Sequence, residues 1–187
     1  PRAFADRDES GCSTQTDATW RSELGGFAQE WLMGAELGVQ RKRAYTVSSA
    51  VGYQRVNIFN PVQDPLPIPA SAYTADSAIP SNSKFQTAAL YFQDQITLAK
   101  EWKALVGLRY DDYQQETSFE RKLSTLERTD RKFSPRAGVV WQPTPAQSYY
   151  ISYSRSFQPS GENFALSTST VDAGPEITGN QEIGAKF

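Results

Sequence analysis

Apolar residues recur at every second position along much of this chain, in runs separated by polar stretches. The clearest run covers residues 102–110. Trp102, Ala104, Val106, Leu108 and Tyr110 share one face; Lys103, Leu105, Gly107, Arg109 and then Asp111 share the other. A period of two belongs to a β-strand whose faces meet unlike surroundings. The run from residue 31 repeats it, with Trp31, Met33, Ala35, Leu37 and Val39 alternating against Leu32, Gly34, Glu36, Gly38 and Gln40. Each apolar face opens on a tryptophan, a ring that suits a membrane–water boundary.

Further strands follow the same rule. Ala18, Trp20 and Leu24 alternate with Thr19, Arg21, Glu23 and Gly25. Ala137, Val139 and Trp141 alternate with Arg136, Gly138, Val140 and Gln142, and Pro135 sits at that strand's start, where a missing N–H is tolerated. Tyr149, Ile151 and Tyr153 alternate with Tyr150, Ser152 and Ser154, and residues 182–187 open one more strand. Residues 86–99 are ambiguous, because their alanine and leucine content also fits a helix. A strand is the better reading: both neighbours alternate and the connection to Trp102 is very short. It places Leu90, Phe92, Ile96 and Leu98 on one face, with the acidic Asp94 among them.

About seven strands are predicted, in an all-β, antiparallel, up-and-down arrangement. Their connections alternate in length. Short ones are expected near residues 28–30, 99–100 and 143–146; long ones at about 46–83, 117–130 and 159–179. In an up-and-down sheet alternate turns fall at one end, so one end is trimmed and the other elaborated, as in outer-membrane barrels. A faint echo links Phe27-Ala28-Gln29-Glu30-Trp31 to Leu98-Ala99-Lys100-Glu101-Trp102, two copies of a turn-plus-strand unit.

Composition removes other classes. A net charge of −2 leaves no basic excess to hold a nucleic-acid backbone. Without histidine there is no Ser-His-Asp triad, Cys-His dyad or histidine zinc site. Cys12 is the sole cysteine, so no disulfide closes within the chain; it reads equally as a loop cysteine or as half of a pair completed elsewhere. No apolar run reaches the roughly 18 residues of a membrane helix, but a barrel strand needs only about 9–11 residues with every second one apolar. No signal-peptide pattern follows Pro1, so the chain is either mature or begins mid-sequence. An open sheet with one apolar face would leave bare edges, and the last strand is only begun; both point to an arc of a larger barrel.

At these residues the chain resembles the barrel of TonB-dependent receptors. The match runs through Ala89-Leu90-Tyr91-Phe92-Gln93-Asp94-Gln95, Val106-Gly107-Leu108-Arg109-Tyr110-Asp111 and Phe133-Ser134-Pro135-Arg136-Ala137-Gly138-Val139-Val140. It continues through Tyr150-Ile151-Ser152-Tyr153-Ser154-Arg155-Ser156-Phe157-Gln158-Pro159-Ser160 and Glu182-Ile183-Gly184-Ala185-Lys186-Phe187. Asn57-Ile58-Phe59-Asn60-Pro61-Val62 is similar to a loop motif of the ferrichrome-type branch, whose members take up hydroxamate siderophores. The resemblance implies a barrel of about 22 strands, an N-terminal plug inside it and a box pairing with TonB. On that reading residues 1–187 are a partial barrel in the bacterial outer membrane, lacking the plug and the barrel's C-terminal part. The partners implied are outer-membrane lipid, a ferric siderophore, and the TonB complex through the missing N-terminal region. The siderophore is cargo that keeps its own iron coordination, and no cofactor or metal site is expected.

No fixed motif assigns ligand contacts in such receptors, so candidates follow from position. Tyr53 and Phe59 lie in the first long loop, Tyr113 just past the outer end of its strand on the side of Arg109 and Asp111, and Phe157 where a serine-rich strand enters the third long loop. Aromatic groups near the mouth suit an apolar-rimmed chelate; each also fits plain loop or interfacial packing. Glu36, Arg109 and Arg136 are expected to face the lumen as a polar network. Asp111, Asp112 and Glu116 read as a solvated loop base. Two other classes compete: a passive porin-like or adhesin barrel, and a soluble β-rich binding domain with a dry core. Without histidine no histidine-based nucleophile pair can be assembled; a carboxylate pair stays open, and an enzyme is the least expected class.

Overall fold

The computed structural model describes residues 3–48, 59, 80–159, 166–168 and 171–187. Among these residues seven strands form one antiparallel sheet in which each pairs with its sequence neighbours. They are β1 (Ala3–Leu24), β2 (Phe27–Ser48), β3 (Ser81–Ala99), β4 (Trp102–Phe119), β5 (Ser124–Thr144), β6 (Gln147–Gln158) and β7 (Glu176–Lys186). Residues 86–99 are strand throughout.

Several expected boundaries move. The first short turn is at Gly25 and Gly26, not residues 28–30, which lie inside β2. Both glycines have positive φ, 63° and 82°, the conformation a tight two-residue hairpin requires. β1 begins fifteen residues before the alternation at Ala18, so Cys12 lies within a strand, opposite Val39. The second long connection shrinks to residues 120–123, with Leu123 at φ 45°. Most of residues 117–130 are strand, paired as Thr117 to Leu126 and Tyr113 to Asp130. Alternation fails to mark these extensions because they carry polar residues on both faces. The elaborated end therefore consists of lengthened strands as well as loops.

Register fixes the faces, since directly paired residues point the same way. Trp31 pairs with Asp94, Asp94 with Val106 and Val106 with Ala137; Val139 pairs with Ala104 and with Ile151, and Ile151 with Ile183. This face is the apolar one and it is uncovered: Val106 is 45 % and Ile151 59 % exposed. Trp31, Val106 and Val139 thus share an open surface rather than a dry core, against the soluble-domain reading. The buried apolar residues among those described are Val47, Phe85, Ala89 and Leu166.

Aromatic rings trace the lower border of the apolar face. Trp20 stacks on Trp31 (centroids 6.0 Å apart), Trp102 on Trp141 (5.8 Å), Trp141 on Tyr149 (5.4 Å), and Tyr149 meets Phe187 edge-on (5.9 Å). The belt does not follow the hydrogen-bonding rows. The row of Trp31 reaches β4 at Val106, so Trp102 sits four residues nearer the short turns; Phe187 lies two residues beyond Ala185, the partner of Tyr149. Six residues of stagger over six strand boundaries is about 20 Å along the strands against about 29 Å across them. A level belt then requires strands inclined by about 35°, within the usual range for closed barrels.

The upper border is marked by Tyr110 against Phe133 (4.9 Å), each eight residues from its belt tryptophan. Eight residues span about 26 Å along a strand, or about 22 Å of height at that incline. The apolar band of an outer-membrane barrel is about 25 Å tall.

Candidate ligand-facing wall and mouth

The opposite face is polar and small. Two adjacent rows hold a central charged cluster: Asp17, Gly34, Tyr91, Arg109 and Ser134 in one, and Gln15, Glu36, Ala89, Asp111 and Lys132 in the next. Gly34 gives the Tyr91 ring its place. A Cβ at Gly34 would collide with that ring. Without one, Tyr91 lies across β2 and its hydroxyl donates to Asp17 on β1, while Gln15 donates back to it at 2.8 Å. Arg109 covers the other side of the Tyr91 ring, 5.6 Å from its centroid. It donates to Glu36 at 2.9 Å and to Asp111 at 2.8 Å. Arg136 lies over Gly107, and Tyr150 lies over Gly184 while donating to Glu182. The expected luminal network of Glu36, Arg109 and Arg136 is therefore on one face, with Glu36 and Arg109 joined directly.

Nearer the elaborated end, this face forms a mouth. Phe85 stacks on Tyr113 at 6.4 Å, and the two border a cavity of about 270 Å³ with Glu36, Gly38, Gln40 and Thr87. Tyr113 is half-buried, and that burial pushes its phenol pKa up. On the outward side Asp112 accepts from Arg131 at 2.7 Å and from Gln114 at 3.0 Å; these bonds hold its carboxyl below the usual range. Asp111 and Asp112 are thus each paired with an arginine, and on opposite faces.

The connection between β6 and β7 is tied to this mouth. Thr117, wholly buried, bonds Ser83 at 3.0 Å and accepts from the Leu166 amide at 3.1 Å; Leu166 is itself buried. Arg128 forks onto Asp130 at 2.8 and 2.9 Å. It also donates to the carbonyl oxygens of Val171, at 3.2 Å, and Ala173.

The four aromatic candidates do not converge. Tyr113 is at the mouth. Phe59 is almost wholly exposed, and Tyr53 lies outside the described residues. Phe157 pairs with Ile177 and shares the outward face of Ile151 and Tyr153. Phe85, Thr117, Arg128 and Leu166 were not singled out by sequence. Only Phe85 carried a signal, its parity with Tyr91.

An inclined antiparallel sheet with an open apolar band, aromatic borders and a polar inner face is the wall of a membrane-spanning β-barrel. The chain matches the family described as TonB dependent receptor-like, beta-barrel, over residues 3–187, and it belongs to that family, whose members lie in the bacterial outer membrane. It is 32 % identical over 87 residues to the metal-pseudopaline receptor CntO of Pseudomonas aeruginosa, covering 43 % of this chain and 12 % of that protein. It is 29 % identical over 113 residues to the probable TonB-dependent siderophore receptor PiuA of Acinetobacter baumannii, covering 54 % of this chain and 15 % of that protein. Its fold is similar to that of the ferric-catecholate import receptor Fiu of Escherichia coli K12 in its closed form, with a TM-score of 0.74 and 21 % identity over 98 % of this chain and 29 % of that one. The matched segments thus span about an eighth of the length of CntO and about a seventh of PiuA, and nearly the whole chain covers 29 % of Fiu.

Proposed function

We propose that this chain is part of the wall and mouth of an outer-membrane receptor that takes up a ferric siderophore by TonB-coupled active transport. The observation that carries the reading is a two-faced, inclined sheet belonging to the TonB-dependent receptor barrel family, with a paired-charge wall inside and an aromatic mouth above it. Relatives named for siderophores and metal complexes support it. The plug, the TonB box and the remaining strands belong to the rest of a longer polypeptide on this reading, and Tyr113 is the strongest of the aromatic ligand candidates, ahead of Tyr53, Phe59 and Phe157.

Within it, the motif at residues 57–62 favours a hydroxamate siderophore of the ferrichrome type. The names among the relatives are chemically wider, including a ferrioxamine receptor of Yersinia enterocolitica and the ferric-catecholate receptor Fiu. Deleting the full gene should abolish growth on one ferric siderophore as sole iron source, and deleting tonB should do the same. Uptake that persists without TonB would instead support a passive barrel. In the intact receptor, ferrichrome should quench tryptophan fluorescence where a catecholate complex does not. Tyr113→Ala should weaken that binding by about tenfold, the effect of losing one well-packed aromatic contact.

A further inference from the structure

The cavity at the mouth has a chemical bias that its aromatic pair alone does not show. Its floor is Gly38, which has no side chain, and Glu36 and Gln40 stand two residues to either side on the inner face of β2. Phe85 and Tyr113, stacked at 6.4 Å, wall it from β3 and β4. At about 270 Å³ it is smaller than the roughly 300–1,000 Å³ of sites that enclose a whole small molecule, so it holds one arm of a cargo rather than the chelate itself. Among the described residues that line it, Glu36 is the sole charged one. The cations on the neighbouring rows are already engaged: Arg109 meets both Glu36 and Asp111, Lys42 meets Glu9 at 3.2 Å, and Arg128 meets Asp130. Lys132 shares the row of Glu36 but stands three strands, about 14 Å, away. Arg109 serves two carboxylates, so it does not neutralise Glu36 alone.

We propose that this cavity takes a protonated primary amine at the end of a flexible arm of a hydroxamate chelate. The Glu36 carboxylate attracts the ammonium, the ring pair of Phe85 and Tyr113 attracts it through the aromatic quadrupole, and Gln40 and Thr87 offer oxygens to its three donors. An anionic arm meets the reverse, a carboxylate with every neighbouring cation engaged. The inference rests on the reading of the chain as part of a siderophore receptor and narrows its cargo. Ferrichrome, an uncharged chelate without such an arm, uses the mouth and leaves this cavity empty.

The test is a tryptophan-quenching titration of the full-length receptor with three ferric hydroxamates: ferrioxamine B, a linear chelate ending in a primary amine; the same chelate with that amine acetylated; and ferrichrome. The wild type should bind the amine about tenfold more tightly than its acetylated form, as expected of a part-buried ion contact joined to a cation–π contact. Glu36→Gln, which removes the charge and keeps the shape, should bring the two affinities to within about twofold of each other. Gly38→Val, which fills the floor, should do the same with Glu36 intact, and it serves alone should Glu36→Gln not fold; heat-modifiable migration on gels verifies folding. The two forms are compared within each variant, so a general loss of affinity does not mimic the effect. Equal affinity for the amine and its acetylated form in the wild type, or a preference that survives both substitutions, would overturn the proposal even where ferrichrome quenches. Failure of all three chelates to quench would instead overturn the hydroxamate reading on which it rests.

Discussion

Gly34 and Gly38 occupy the same face of β2, four residues apart, and the structure gives them opposite roles. Gly34 lies under the Tyr91 ring, whereas a Cβ at Gly38 would meet only Ser13 and Thr87 at 3.9 Å, ordinary contact distance. A side chain at 34 must expel the ring and with it the bonds to Asp17 and Gln15. Gly34→Val should therefore destabilise the folded receptor by about 1–3 kcal/mol, the usual scale for overpacking and lost hydrogen bonds. Gly38→Ala should be neutral or stabilising by up to about 1 kcal/mol, because it restricts the unfolded chain at no steric cost. Urea unfolding in lipid vesicles measures both. A similar loss at the two positions would mean that Tyr91 is not seated over Gly34.

At the scale of elements, β4 is the clearest case of two environments on one strand. Val106 lies four residues from each aromatic border, at the middle of the band. Val106→Arg should cost about 2–4 kcal/mol, the price of a cation at mid-bilayer. Leu105→Arg, on the inner face, should cost less than half as much in the same unfolding measurement. The β6–β7 connection is held by Thr117 of β4 at Leu166 and by Arg128 of β5 at Val171 and Ala173. Arg128→Ala removes donors to Val171 and Ala173. Hydrogen bonds from charged groups contribute about 1.5–3 kcal/mol, so amide exchange around residues 171–173 should accelerate ten- to a hundredfold. Unchanged exchange would show that the connection is held by other contacts.

The same elements show what the chain pattern could reveal. Between the aromatic borders, lipid and lumen impose opposite demands on successive residues, so β2, β4 and the inner half of β5 were legible as alternation. Above the borders that contrast disappears. Residues 6–17 of β1, and the β4–β5 tip around Thr117 and Leu126, carry polar side chains on both faces and read as loop. The mouth was legible only in part. Tyr113 followed from parity, but Arg128 and Thr117 matter because a distant connection comes back to them, and no local pattern encodes that return. Phe157 was placed near the mouth by its position at a loop entrance, whereas its parity with Ile151 sets it on the outer face.

For the molecule as a whole, everything depends on which side of the sheet is in lipid. The aromatic borders, the incline of about 35° drawn from the belt and the paired charges of the opposite face all require the same orientation. Single cysteines placed in turn at residues 103–109, in a Cys12→Ser background of the full-length receptor in bilayers, can carry spin labels whose collision with oxygen and with a water-soluble nickel chelate is read by power saturation. Labels at 104, 106 and 108 should collide preferentially with oxygen, with the greatest excess at 106, and labels at 103, 105, 107 and 109 should not. Equal accessibility at odd and even positions, or an oxygen preference at the odd ones, would contradict the account.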